Sequence, residues 1–141
     1  MRNIMLLMLE DDPERLERFS AVLRDIAPAV PIRSWRNAFT MTKEAGLLLP
    51  SATVISLDHD LEPDDSGVDP GEGYQLIQWL VAQPIMRQVV IHTSNSPRAQ
   101  WMAGACDLAG WNHYRVAPLG DDWIETDWRY VIRRLIKSAH G

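Results

Sequence analysis

The chain has 141 residues, a formal net charge of −5 and an apolar share of 46%, which suits a single domain over residues 1–141 and excludes disordered, collagen-like and repeat architectures. The acidic balance offers no general attraction to a nucleic-acid backbone, so duplex DNA is not an expected partner, although a short oligonucleotide end is. The lone Cys106 has no disulfide partner, and the short apolar run Ile4–Leu9 fits neither a signal peptide nor a membrane span; the cytoplasm is the expected location, with no membrane partner.

Ile4–Leu9 is unbroken and apolar, as a parallel strand covered on both faces requires. After Glu10, Asp11 and Asp12, Pro13 suits a first helical position, and Leu16, Phe19, Val22, Leu23 and Ile26 recur at helical spacing. Val30–Ser34 reads as a short second strand, at an edge because of Pro31, and Ala38–Leu49 as a second helix. Thr53–Leu57 is the third strand. A polar loop then delays the next helix to about Tyr74, with Ile77, Leu80 and Val81 as its buried stripe. Gln88–Ile91 is a fourth strand, followed by a helix opening at Pro97 and carrying Ala99, Met102 and Ala105. Trp111–Val116 reads as a fifth strand, and Trp128, Val131, Ile132, Leu135 and Ile136 mark a last helix.

Strands alternating with helices over short connections imply right-handed crossovers and a parallel sheet with helices on both faces. In such sheets ligands bind beyond the carboxyl ends of the strands, at a topological switch point. Glu10-Asp11-Asp12, Asp58-His59-Asp60 and His92-Thr93-Ser94-Asn95 should therefore converge. Crowded carboxylates need a cation or retained protons, and hard oxygen ligands favour Mg2+ or Mn2+. Glu10, Asp11 and Asp58 are the preferred ligands, with Asp12 and Asp60 next. Taken alone, the first acidic cluster is better explained by helix capping, and it is the second cluster at another strand end that favours a shared site.

His59 and His92 carry side chains that exchange protons near neutral pH, and the sequence puts both on this rim; a structural hydrogen-bonding role competes with acid-base chemistry. Thr93, Ser94 and Asn95 can donate to a phosphoryl oxygen beside free helix amides, or simply cap the helix that follows. The loop Glu62–Glu72 is either a lid or a solvated surface. Arg98 and Arg115 are candidate phosphate contacts or salt-bridge partners. The tryptophans are chiefly core residues, with Trp101 and Trp111 able to stack a base. Cys106 reads as a buried small side chain, and His113 and His140 lie outside the cluster.

"LEDDP" with Glu10 and Asp11, Asp58 at the end of the third strand, and Thr93 at the end of the fourth resemble the receiver domains of two-component signalling across essentially the whole chain. The resemblance implies a flavodoxin-like sheet in the order 2-1-3-4-5, with an acidic pair, a phosphoacceptor at Asp58 and a hydroxyl at Thr93. It also calls for a lysine before the proline after strand five, where this chain has Ala117-Pro118. "LDHDL", "GYQLIQWL" and "VIHTSN" look more like the divergent cyclic-phosphate processing receiver domains. That likeness implies metal and phosphate handling by Glu10, Asp11 and Asp58, proton transfer by His59 and His92, and phosphate orientation by Ser94 and Asn95. The implied activity is metal-assisted opening of a cyclic phosphate, such as a 2′,3′-cyclic RNA end. The alternatives are a signalling receiver phosphorylated on Asp58, expected to act without a fused output segment through a protein partner or homodimer at the last helices, and a pseudo-receiver that only binds protein.

Overall fold

The computed structural model describes residues 4–140, the side chain of His140 excepted. Five strands, β1 (Met5–Leu9), β2 (Ile32–Trp35), β3 (Ala52–Leu57), β4 (Gln88–Ile91) and β5 (His113–Arg115), form one sheet in the order β2-β1-β3-β4-β5, and every neighbouring pair is parallel. This is the flavodoxin-like arrangement, with its order reversing between β1 and β3. Helices α1 (Pro13–Ile26), α2 (Ala38–Ala45), α3 (Gly73–Leu80), α4 (Ser96–Ala109) and α5 (Arg129–His140) connect and cover the strands. None is long and apolar enough to cross a membrane, among the described residues.

Because side chains alternate across a strand, the sheet sorts its apolar residues into two cores. Leu7, Leu9, Ile55, Leu57, Val89 and Ile91 pack with α2, α3 and α4, whereas Leu6, Met8, Val54 and Val90 face α1, α5 and the turn before α5 through Phe19, Val22, Ile132 and Trp128. Ser56 falls on the second face, where it is fully buried and must find polar partners.

Three elements differ from their sequence expectations. The second helix ends at Ala45, and a 3-10 turn at Leu49–Ser51 follows. Leu47 to Leu49 keep the chain apolar, but Gly46 weakens the helix and Pro50 can neither donate its amide nor tolerate the carbonyl four residues earlier. The second strand is shifted to Ile32–Trp35, with exposed Pro31 just before this edge strand, as expected, and the Pro31 carbonyl accepting the Leu6 amide. The fifth strand is only three residues, because Gly110 turns left-handed at φ 78° and Trp111 still donates its amide to the Cys106 carbonyl as part of the α4 cap.

A π-helical turn, Ile124–Trp128, precedes α5. Its 2.9 Å bond from the Trp128 amide to the Trp123 carbonyl spaces the two indoles five residues apart on one side, and both are buried. The extra residue per turn is what lets both rings reach the sheet face beneath the strand ends.

Candidate functional site

The register of the sheet builds the site. Leu9, Leu57 and Ile91 lie abreast on β1, β3 and β4, and the ladder continues as Asp58 donates its amide to the Leu9 carbonyl and His92 to the Leu57 carbonyl, at 3.0 and 2.9 Å. The next residues on the three strands are Glu10, Asp58 and His92. By alternation they share the α1/α5 face with Met8, Ser56 and Val90. Three segments distant in sequence thus form one row at the switch point.

Glu10 is the hub of that row and is fully buried. Its Oε2 accepts the amides of Asp11 and Asp12, both at 3.1 Å, and its Oε1 lies 3.1 Å from His92 Nε2. Burial alone would push this carboxyl up; the hydrogen bond and charge of His92, the Asp12 amide and Arg15 outweigh it and hold the carboxyl below its ordinary range. The other ring nitrogen of His92, Nδ1, lies 2.8 Å from Ser56 Oγ, which also accepts the Trp128 indole N–H at 3.1 Å. A buried chain, Trp128 to Ser56 to His92 to Glu10, therefore fixes the carboxylate's orientation. Trp128→Phe removes the donor at one end, and a loss of about 2 kcal/mol in unfolding free energy is expected. Urea denaturation followed by far-UV circular dichroism measures it; an unchanged midpoint would mean that the indole hydrogen bond contributes nothing.

Asp58 is 6% exposed and accepts the His59 amide at 2.7 Å through Oδ1. Burial, with the neighbouring Glu10 charge adding to it, raises its pKa to about 6 against the opposing pull of His92, the His59 amide and Arg15. Asp11 is half-buried; burial and the Glu10 carboxylate also raise its pKa, against the pull of the Glu62 amide that bonds its Oδ2 at 2.6 Å. One oxygen from each of Glu10, Asp11 and Asp58 lies within 4.8 Å of the others. Three hard oxygen donors this close fit an octahedral divalent cation such as Mg2+ that retains several waters; the raised pKa of Asp11 and Asp58 comes first from burial, with the Glu10 carboxylate adding to it.

The odd-numbered residues of the same strand ends point the other way. His59 is fully buried, with Nδ1 accepting the Tyr74 amide at 3.2 Å. That bond places the ring proton on Nε2, which stands 3.2 Å from Glu72 Oε2 and 4.0 Å from Asp60 Oδ1 without a well-aligned hydrogen bond. Both histidines therefore lie beneath the rim on which the sequence puts them, on opposite faces of the sheet, because only the strand parity decides which face each enters. The loop after His59 is tied to the site: Glu62 bonds Asp11, Pro70 accepts the Ala38 amide, and Gly73 donates to the His59 carbonyl.

The remaining candidates spread around this centre. Asp12 caps α1, its Oδ1 accepting the amides of Glu14 and Arg15. Asp60 is exposed and meets Asn95 Nδ2 at 3.3 Å, while Asn95 Oδ1 caps α4 through the Arg98 amide. Thr93 is buried, with its hydroxyl accepting the Asn95 amide, and Ser94 is exposed. Arg115 donates to the Thr93 carbonyl, and Arg98 stacks on Trp101 at 3.9 Å. Trp101 is 50% exposed whereas Trp111 is 3% exposed, so only the former presents a ring to a base. His113 pairs with Asp107. Cys106 is buried, and its thiol is pushed up to about 11 by burial and Asp107. Sequence reasoning missed Arg15, whose Nη1 stands 3.7 Å from Glu10 Oε1 and 3.9 Å from Asp58 Oδ2. The available signal was its place one turn after the acids, on the helix they cap.

The solved structures that this chain resembles are receiver domains. They include the response regulator domain of CheB from Thermotoga maritima (12% identity, TM-score 0.68, covering 99% of this chain and 98% of that one). A response regulator receiver domain from Rhodospirillum rubrum has 19% identity and a TM-score of 0.67, covering 96% of this chain and 94% of that one. The signal receiver domain of a DNA-binding response regulator from Colwellia psychrerythraea has 18% identity and a TM-score of 0.66, covering 96% and 99%. At such identities the likeness establishes the receiver fold. No curated protein sequence matches the chain. Residues 5–107 match the family model for the cyclic-phosphate processing receiver domain, and the chain belongs to that family.

Proposed function

We propose that this protein opens a cyclic phosphate at the Glu10–Asp11–Asp58 cluster, with Asp58 taking the phosphoryl group. The observation that carries this reading is the convergence of those three carboxylates within 4.8 Å at the switch point, in a chain of the cyclic-phosphate processing family. A bound Mg2+ or Mn2+ supplies charge neutralisation of the phosphoryl oxygens. Glu10, Asp11 and Asp58 hold the ion, with Asp60 at the outer edge.

His92 orients Glu10 rather than touching substrate, since Glu10 and Ser56 occupy its two nitrogens. That arrangement favours carboxylate attack over a reaction run by two free imidazoles. An Asp58 oxygen bonds to phosphorus, the ester bond to one ribose oxygen breaks, and the departing alkoxide takes a proton from solvent water at the rim. Water then cleaves the bond between Asp58 and phosphorus, leaving a phosphomonoester and a free carboxylate, and its proton is released to solvent. Thr93, Ser94 and Asn95, at the start of α4, orient the phosphate. The substrate is a small cyclic nucleotide or an RNA end.

The test is hydrolysis of a 2′,3′-cyclic nucleoside monophosphate with and without Mg2+. Wild type is expected to form a ring-opened monophosphate only with the metal, and Asp58→Asn to fall to background. Full activity in Asp58→Asn, or in wild type stripped of metal, refutes the reading. A second reading, signalling through a phosphorylated Asp58 and a protein partner, is favoured by the buried Thr93 hydroxyl at the end of β4 and the receiver fold. It predicts that a small phosphodonor with Mg2+ leaves a stable phosphate on Asp58 while the cyclic nucleotide is untouched.

A further inference from the structure

A phosphoryl group at Asp58 would be stabilised by a positive side chain as well as by a metal, and position 117, where the receiver resemblance calls for lysine, is an alanine. Other arginines near the rim make their contacts away from Glu10 and Asp58. Arg115 donates to the Thr93 carbonyl, Arg98 stacks on Trp101, and Arg18 is bonded to Glu125 and the Asp121 carbonyl. Arg15 differs: its Nη1 stands 3.7 Å from Glu10 and 3.9 Å from Asp58, close enough for charge attraction but beyond hydrogen-bond length from either. Its guanidinium carbon lies 5.3 Å from the centroid of Trp123. That indole is 3% exposed and is held between Phe19 at 5.6 Å and the stacked His92 ring at 6.2 Å.

We infer that Arg15 is the anion-binding side chain of this site, its guanidinium held against Trp123 so that its N–H groups meet the oxygens of a phosphoryl group carried on or beside Asp58. The cation enters from the start of α1 rather than from the end of β5. A guanidinium presents a planar fork that can engage two phosphoryl oxygens, and cation–π contact with a fixed ring limits the freedom lost on binding. With no anion present, the same charge competes with a divalent cation for Glu10 and Asp58. Arg15 therefore acts in opposite directions on the two ligands. This inference rests on the reading of Asp58 as the phosphoryl-handling carboxylate.

The experiment uses the full chain and two probes, Mg2+ alone by calorimetric titration, then beryllofluoride, a phosphoryl mimic, by fluorine NMR in saturating Mg2+. R15Q is expected to bind Mg2+ as tightly as wild type or more so, while its affinity for beryllofluoride falls by about tenfold or more, as loss of a charge-assisted contact implies. R15K, which keeps the charge but not the fork, should fall between, and it replaces R15Q as the test should the latter fail to fold. Equal beryllofluoride affinity in wild type and variant overturns the role of Arg15 alone. Parallel weakening of both ligands overturns it as well, because a merely structural role moves both together. Wild type that takes up Mg2+ but no beryllofluoride removes the phosphoryl reading of Asp58 and this inference with it.

Discussion

Gly73→Ala is expected to lower the unfolding free energy by more than about 4 kcal/mol or to leave no folded protein. A Cβ at this position would sit 2.0 Å from the Asp58 carbonyl oxygen, 2.8 Å from His59 Cα and 2.9 Å from the Asp58 carbonyl carbon. All three atoms are backbone, so no side-chain rotation relieves the overlap. Nor can the opposing segment retreat: the Asp58 amide is bonded to Leu9 of the neighbouring strand β1, and the Gly73 amide is itself bonded to the His59 carbonyl. Relief requires α3 to shift away from β3, which opens the core around Leu76 and Ile77 and moves the Asp58 carboxylate. Gly67→Ala is the control. Its φ of +74° disfavours a side chain, but no atom lies within 4 Å, and the cost should be only about 1 kcal/mol. Urea unfolding of both variants separates steric collision from backbone preference. A Gly73→Ala protein within 1 kcal/mol of wild type, on that scale, would show that α3 does not approach Asp58 this closely.

The parallel sheet and the site at its carboxyl edge were legible because short apolar runs mark covered strands and three of them, β1, β3 and β4, are followed by acids or by a histidine and hydroxyl residues. Glu10, Asp11 and Asp58 could be placed together from strand order alone. Which face each residue enters was also encoded, in the parity that groups Glu10, Asp58 and His92 with Met8, Ser56 and Val90. That parity separates the two histidines: His92 sits behind Glu10, and His59 turns toward α3. Other features depend on contacts that no local pattern encodes. Arg15 reads as an ordinary helix-surface charge until the π-helical turn, over 100 residues later, brings Trp123 beneath it. Trp111 resembles a strand residue until Gly110 turns the chain and its amide is used to cap α4. Leu47 to Leu49 continue an apolar pattern that Gly46 and Pro50 interrupt.

Without magnesium, the protein is expected to be more stable near pH 5 than near pH 7.5, and millimolar Mg2+ should reverse that order. The folded-state pKa of Asp58 is raised from 3.8 to about 6, mainly by burial. Between those values the folded carboxyl holds a proton that the unfolded chain has released, so its stabilising contribution is complete below about pH 4 and is lost as pH rises through about 6. The displacement is worth about 3 kcal/mol. Asp11, also raised, acts in the same direction. Glu10, held below its ordinary 4.5, acts in the opposite sense but in a more acidic window, losing its contribution only as pH falls through its lowered folded value.

A divalent cation binds the ionised carboxylates, so its stabilisation grows over the pH range in which the metal-free protein weakens. Thermal unfolding at the two pH values, with and without Mg2+, reads all four states, and Asp58→Asn supplies the decisive comparison. The amide has the shape of the protonated acid and no charge to bury. The metal-free variant should therefore exceed wild type near pH 7.5 by up to about 3 kcal/mol, show a flatter pH profile and gain little from Mg2+. A variant no more stable than wild type at that pH would place the Asp58 carboxylate in solvent and remove the basis for its raised pKa. Stabilisation by asparagine together with loss of the metal response would mean that the ionised carboxylate weakens the metal-free fold, as expected of a group held for ligand chemistry rather than for architecture.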